Sequence, residues 1–328
     1  MDFKDNRKIP RILIGAPKSG SGKTLITCAL LRALKEKNTD VMSFKCGPDY
    51  IDPMFHRRIQ NVPSENLDTF FQTERDVREM FFHCMENRDM AVMEGVMGLF
   101  DGLGGVSEEG SAYHLACVTE TPIILVVDVH GMGKSMIPLV KGFIDYDSRK
   151  MIKGIILNRI SACYFEMVKP FFEREISVPL LGYLPSNKEF SFESRHLGLK
   201  MPKEIEDINE RLKLASDQFV ETVDFEKIIE IASDVSGSAT DENETDRITN
   251  ENPFFDNATN TEEETAKDEL VLAVARDEAF CFYYEANIRE FTKRGVRVEY
   301  FSPLHDEELI KEADGILLGG GYPELYGK

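Results

Sequence analysis

Short apolar runs alternate with amphipathic stretches through the first two thirds of the chain. Arg11–Gly15 (RILIG) and residues 41–45, 90–93, 123–129, 152–157 and 180–184 have the length and branched-residue content of buried strands. Between them, apolar positions recur at helical spacing. Residues 24–37 carry Leu25, Ala29, Leu30 and Leu34 on one face, and residues 74–87, 112–119, 136–143, 164–175 and 205–219 read as further helices. Strand–helix alternation of this kind predicts an α/β fold with a parallel, doubly wound sheet and right-handed crossovers.

The pattern breaks near Ser233. Residues 233–268 are rich in Asp, Glu, Asn, Thr and Ser and poor in large apolar side chains, so they are expected to form an acidic, disordered linker. Beyond it a second α/β unit is predicted, with strands over 270–275, 296–301 and 316–318 and a helix over 283–293. The domain boundaries expected are therefore 1–232, 233–268 and 269–328. With 328 residues, two domains is the ordinary outcome.

A formal charge of −19 argues against a nucleic-acid backbone as partner, because such binding is driven by basic groups that release counterions. No apolar run has the length of a membrane span, and the first residues, MDFKDNRKIP, lack the apolar core of a signal peptide; a cytoplasmic protein is expected. Six scattered cysteines without a C-x-x-C pair predict neither a disulfide framework nor a zinc site.

The chemistry starts at residues 15–24, GAPKSGSGKT, a glycine-rich turn between the first strand and the first helix. In such a loop the backbone N–H groups around Gly20, Ser21 and Gly22 face phosphate oxygens, aided by the positive end of the helix. Lys23 adds a mobile charge, and the Thr24 hydroxyl suits a magnesium ion bridging the terminal phosphates. The strict P-loop pattern would place glycine at Pro17, but SGSGKT is otherwise specific. Lys18 stands where a P-loop subgroup with shared nucleotide sites in its dimers carries lysine, and it reads equally well as a solvated loop residue.

Further candidates lie at strand ends, where ligands bind in open parallel sheets. The strand over 41–45 runs into CGPDYIDPMFH, which gathers Asp49, Tyr50 and Asp52 in a turn fixed by Gly47, Pro48 and Pro53. Carboxylates beside a nucleotide commonly serve magnesium, and an Asp in such a turn also commonly caps a helix. The strand over 90–93 ends in Glu94, which is costly to bury unless it is paired or bound to a metal. Asp101 follows in the glycine-lined loop GVMGLFDG. Asn158, at another strand end, suits the donor and acceptor edge of adenine and equally suits a satisfied loop position.

These segments, together with NLD (66–68), GSAYHLA (110–116), ILNR (156–159), LGYLP (181–185), RHLGL (195–199), VARDEAFCFYY (274–284) and GGGYPELY (319–326), occur in order and resemble the cobyrinic acid a,c-diamide synthase family. The resemblance spans nearly the whole chain outside the acidic segment. It implies a dethiobiotin-synthetase-like ATP domain followed by a class I glutamine amidotransferase-like domain. The implied activity is ATP- and magnesium-dependent amidation of the a and c acetates of a tetrapyrrole through an acyl phosphate, with ammonia normally supplied from glutamine. Cobyrinic acid and nickel sirohydrochlorin are both open as substrates. On this analogy Lys23, Asp49, Tyr50, Ile51, Glu94 and Asp101 are the catalytic residues. Gly20, Ser21, Gly22, Lys23, Thr24 and Asn158 bind nucleotide, and Thr24, Asp49 and Glu94 serve the metal, with Asp52 a neighbour.

The resemblance weakens at the C-terminal end, where GGGYPELYGK comes before any nucleophile elbow. Cys281 reads as lying at a helix start and His305 as an exposed loop residue, so neither fits a glutaminase. The amidotransferase half is therefore expected to be incomplete, through truncation, a separate glutaminase polypeptide, or use of free ammonia. Two other readings stay open: a cobyric acid synthase-like amidating enzyme, and a dimeric P-loop switch of the partitioning type, supported by Lys18, for which a homodimer would be the working form.

Overall fold

The computed structural model describes residues 8–59, 61–190, 194–195, 198–199, 207–235 and 270–327. The chain divides into two compact units, Met1–Val235 and Ser236–Lys328. Most of the expected acidic linker, from Ser236 to residue 268, lies outside the described residues, as do residues 205 and 206 of the last expected helix.

The first unit is built on seven parallel strands: β1 (Arg11–Gly15), β2 (Val41–Cys46), β3 (Ser64–Leu67), β4 (Met90–Glu94), β5 (Ile123–Asp128), β6 (Ile152–Asn158) and β7 (Leu180–Leu184). Their order in the sheet is β3-β2-β4-β1-β5-β6-β7. The helices are α1 (Lys23–Glu36), the short α2 (Ile51–Met54), α3 (Glu74–Cys84), α4 (Ala112–Val118), α5 (Met136–Tyr146) and α6 (Ala162–Glu175). Two very short strands, β8 (Ser194–Arg195) and β9 (Gly198–Leu199), precede α7 (Ile208–Thr222) and α8 (Phe225–Ser233).

Successive side chains on a strand point to opposite faces, and the two faces have separate cores. Leu13, Phe44, Met93, Leu125 and Leu157 pack with Val77 and Phe81 of α3, Leu115 of α4, Val140 of α5 and Phe172 of α6. Ile12, Ile14, Val92, Ile124, Val126 and Ile156 pack with Ile26, Leu30 and Leu34 of α1, Phe219 of α7 and Ile228 of α8. Both faces are covered, so the strands read as continuous apolar runs. Helix starts are marked by side-chain caps: Thr73 accepts from Asp76 N in a reciprocal capping box, and Ser111, Ser161 and Asp224 cap α4, α6 and α8.

Two elements of this unit are additional to those expected from the sequence. The strand β3, SENL, carries three polar residues, yet all four of its positions are buried. Helix α8 follows Asp224 directly and buries Phe225, Ile228, Ile231 and Ala232.

In the second unit β10 (Val271–Ala275) lies between β12 (Arg297–Phe301) and β13 (Gly315–Leu317), all parallel, while β11 (Phe280–Phe282) pairs antiparallel with β14 (Gly320–Gly321). Helix α9 (Glu285–Lys293) buries Ile288. Asp277 ties its turns together, accepting from Ala279 N, Phe280 N, Leu304 N and the Ser302 hydroxyl at 2.8 to 3.0 Å. Cys281 is buried on β11 and does not start a helix, a correction to the sequence reading: Phe280 and Phe282 flank it on a strand whose partner, Gly320–Gly321, lies far along the chain. His305 is exposed, with Nε2 3.2 Å from Glu278 Oε2. None of the six cysteines forms a disulfide, and no helix among the described residues is long and apolar enough to cross a membrane.

Candidate active site at the ends of β1, β2 and β4

The chain reverses its direction of travel across the sheet at β1, whose neighbours are β4 and β5. Side chains leaving the C-terminal ends of β1, β2 and β4 therefore converge beside the loop that opens α1. Gly20 and Gly22 hold this loop at φ +73° and +95°, in the left-handed region that L side chains rarely adopt. Ser21 Oγ donates to the Lys18 carbonyl at 2.9 Å, and Lys23 Nζ donates to Met97 O at 2.5 Å and to Lys18 O at 3.5 Å. Lys18 itself is exposed. Burial, followed by the nearby Lys45 charge, lowers the Lys23 ammonium to a pKa of about 8.

Asn158, at the end of β6, braces the loop from the side. Its Nδ2 donates to Ser21 O at 2.8 Å and its Oδ1 accepts from Arg159 N at 2.9 Å, while Arg159 Nη2 bridges Gly20 O and Asp128 Oδ2, each at 2.7 Å. A Cβ at Gly22 would lie 2.2 Å from Asn158 Nδ2, on a backbone already at φ +95°. Gly22→Ala is expected to displace the brace and strain the loop by about 1–2 kcal/mol, weakening nucleotide binding by roughly tenfold. Titration with a fluorescent nucleotide checks this, and an unchanged affinity would separate the loop from binding.

The strand register explains the charged cluster. Lys45 of β2 is the direct partner of Glu94 on β4 and of Asn66 on β3, and Ser43 pairs with Ser64. Ser43 and Lys45 are two apart and so share a face, the side away from Phe44, where α1 lies. Thr24, in the first turn of α1, completes the group: its hydroxyl donates to Glu94 Oε1 at 2.6 Å and lies 3.3 Å from Asp52 Oδ2. Lys45 Nζ donates to Asp52, to Glu94 Oε1 at 3.0 Å and to Gly95 O at 3.3 Å, and lies 3.5 Å from Asp49 Oδ2. Glu94 is wholly buried and Lys45 only 2 % exposed.

Burial alone would raise the Glu94 pKa, but Lys45 and then His56 hold it below the usual carboxylate range. Burial and the Glu94 charge push Asp52 up. Burial opposes the Lys45 charge, and Asp52, Glu94 and Asp49 outweigh it, so the ammonium is held. Glu94 is thus the ionised carboxylate of the pair, and Asp52 the one that takes up a proton more readily.

Around this core the remaining predicted residues are spread over two turns. Asp49 Oδ1 accepts from Ile51 N at 3.0 Å and Asp52 N at 3.3 Å, opening α2, and Asn66 Nδ2 fixes the turn by donating to Gly47 O and Asp49 O. Tyr50 is half-buried and Ile51 buried in the same turn. Asp101 is exposed, with Oδ2 accepting from Gly98 N at 3.0 Å across the loop that follows Glu94. Asp52, not Asp49, stands beside Thr24; Asp49 meets the cluster through Lys45. Sequence reasoning passed over Lys45 and His56. The available signal was a lysine at the end of the expected strand 41–45, at the position that corresponds to the glutamate ending the strand over 90–93.

The donors fit magnesium. They are a hydroxyl and carboxylate oxygens, the hard ligands that Mg²⁺ takes together with phosphate oxygens, with Thr24 Oγ1, Glu94 Oε1 and Asp52 Oδ2 brought together beside the phosphate loop. Among the described residues no group of three or more His, Cys, Asp or Glu is set to hold a metal ion.

Residues 12–199 match the CobQ/CobB/MinD/ParA nucleotide binding domain family. The cobyrinate a,c-diamide synthase of Dehalococcoides mccartyi (strain CBDB1) is 37% identical over 317 residues, covering 96% of this chain and 65% of that protein. Those of Listeria innocua and Thermoplasma acidophilum are 38% and 37% identical, each covering 97% of this chain and 67% of the relative. The chain spans about two thirds of the length of the curated relatives it matches. Among solved structures, the signal recognition particle receptor FtsY of Elizabethkingia anophelis in complex with GDP aligns with a TM-score of 0.42 at 12% identity, over 66% of each chain. With such identity sustained along nearly all of its length, and with a nucleotide-binding domain at residues 12–199, the chain belongs to the cobyrinate a,c-diamide synthase family.

Proposed function

We propose that residues 1–232 form an ATP-dependent amidoligase domain that converts the a and c acetates of a tetrapyrrole, cobyrinic acid or nickel sirohydrochlorin, into amides. Residues from 269 onward form part of a glutamine amidotransferase-like domain, joined through the acidic segment 233–268. One observation supports the reading above the others: a phosphate loop, a hydroxyl and three carboxylates meet around two lysines at the ends of three adjacent strands.

A carboxylate resists ammonia because its carbonyl carbon is electron-rich and oxide is a poor leaving group. An acetate oxygen attacks the γ-phosphorus of ATP, the bond to the β–γ bridging oxygen breaks, and ADP leaves with that electron pair. The nitrogen lone pair of ammonia then attacks the acyl carbon. Phosphate departs carrying one oxygen of the original acid, and the surplus proton of the ammonium centre passes to solvent. Lys23 and the amides of Gly20, Ser21 and Gly22 hold the terminal phosphates, so positioning and electrostatics supply most of the acceleration. Magnesium, when bound by Thr24 and Glu94 with Asp52 or Asp49, neutralises phosphate charge there. Asp49, Tyr50, Ile51 and Asp101 line the approach of the acetate. Asn158 keeps the loop in place beneath the nucleotide.

The test is incubation with magnesium, ATP and either macrocycle, with ammonium or glutamine as nitrogen source. The expected result is amide formation with ammonium, and transfer of ¹⁸O from the labelled acid to the released phosphate. Amide formed without label in the phosphate would overturn the acyl-phosphate route. ATP hydrolysis stimulated by DNA or lipid and indifferent to the macrocycle would overturn the ligase reading itself.

A further inference from the structure

We infer that His56 is a positioning residue for Glu94, a buried donor that turns the carboxylate so that Oε1 faces the nucleotide and its metal; this rests on the reading of the site given above. Glu94 Oε1 accepts from Thr24 at 2.6 Å and Lys45 at 3.0 Å, while the other oxygen, Oε2, is buried and takes neither contact. Instead Glu94 Oε2 meets His56 Nε2 at 3.3 Å. The approach falls short of full hydrogen-bond alignment, neither atom has a hydrogen-bond partner elsewhere, and the histidine, like Glu94, is fully buried.

The ring is itself held from behind. His56 Nδ1 lies 2.7 Å from Ser43 Oγ and 3.4 Å from Ser64 Oγ, hydroxyls on the paired rung of β2 and β3. A serine hydroxyl donating to Nδ1 leaves the proton on Nε2, directed at Glu94. The backbone that carries His56 there is a π-helical turn, Phe55–Ile59, following α2 directly; such turns are rare and concentrate at functional sites. Three elements therefore serve one contact: two serines fix the ring, the ring fixes one carboxylate oxygen, and the other oxygen is presented to the site. Partners of this kind behind a liganding group set its orientation and raise its effectiveness.

The experiment compares His56→Leu, His56→Gln and His56→Asn with the wild type in full chain. Mn²⁺ is the probe, titrated by electron paramagnetic resonance in the presence of a non-hydrolysable ATP analogue, with metal-free nucleotide affinity and melting temperature measured alongside. His56→Leu is expected to weaken Mn²⁺ binding by about 10- to 100-fold while leaving metal-free nucleotide affinity unchanged. His56→Gln, whose amide nitrogen reaches toward the place of Nε2, is expected to recover most of the loss; His56→Asn, which reaches only toward the place of Nδ1, is not. Should His56→Leu fail to fold, the Gln and Asn variants carry the same contrast. Equal Mn²⁺ affinity in Gln and Asn variants, or a loss of metal-free nucleotide binding as large as the loss of Mn²⁺, would overturn the inference. Wild-type protein that bound Mn²⁺ no better with nucleotide than without would instead overturn the reading of the site, and the role of His56 with it.

Discussion

Lys23→Ala is expected to lower ATP-dependent amide formation by about 10²- to 10³-fold or more, with the melting temperature nearly unchanged. The side chain is 8 % exposed, and its ammonium rests on two loop carbonyls, Met97 O and Lys18 O. Its hydrogen bonds go to backbone carbonyls, so its removal is expected to leave the Lys45 cluster in place. The charge that builds on the transferring phosphoryl and on the departing bridge oxygen is what loses its partner, and kcat should fall further than nucleotide affinity. The pH dependence gives an independent reading. With a pKa of about 8 in the unliganded protein, lowered by burial and by Lys45, Lys23 must take up a proton when a phosphate arrives at higher pH. Nucleotide affinity is therefore expected to weaken as pH rises above about 8 in the wild type and to stay flat across that range in Lys23→Ala. The folded-state value lies below the unfolded one, so for stability the sign is the reverse: this group's contribution grows as pH rises from about 8 toward the free lysine value. Full activity in Lys23→Ala would remove the loop from the chemistry.

The sheet was legible in the sequence because both of its faces are covered. Strands such as β1, β5 and β6 then carry unbroken apolar runs, and their boundaries follow within a residue or so. The strand β3 was not legible for the opposite reason. Ser64 and Asn66 face the polar end of the sheet, where they meet His56 and the carbonyls of Gly47 and Asp49, so the site itself erased the apolar signature. A similar limit applies to function. Lys23, Thr24 and Glu94 stand out in a one-dimensional pattern because a motif or a strand end marks them. Lys45 and His56 acquire meaning only from cross-strand register and from a π-helical turn, neither of which leaves a periodic trace. Cys281 was misplaced because the pairing that makes its segment a strand comes from Gly320–Gly321, some 40 residues onward.

Lys45→Met is expected to be the most destabilising single change in the first unit. Lys45 is the cation shared by Asp52, Glu94 and Asp49, and Glu94 and Asp52 are themselves buried. Removing one partner from such a group leaves uncompensated charge in a medium that solvates it poorly, at a cost of about 3–5 kcal/mol; an exposed pair would cost at most about 1 kcal/mol. The sign of the pH dependence follows from Glu94. In the wild type its folded-state value is held below the ordinary one, against burial, by Lys45 and His56. Its contribution is therefore present above the unfolded value, near pH 4.3, and is lost as pH falls through the folded value. Without Lys45 burial prevails and the carboxylates titrate high. The difference between wild type and variant should widen from pH 5 to pH 8 and narrow on acidification, in urea unfolding at each pH. Magnesium supplies a second cation for the same oxygens, so it should stabilise Lys45→Met more than the wild type, and adding Glu94→Gln to Lys45→Met should cost less than the two single changes summed. A loss that is the same at every pH and with or without magnesium would mean that Lys45 only fills space, and that the oxygens around it do not form a cation site.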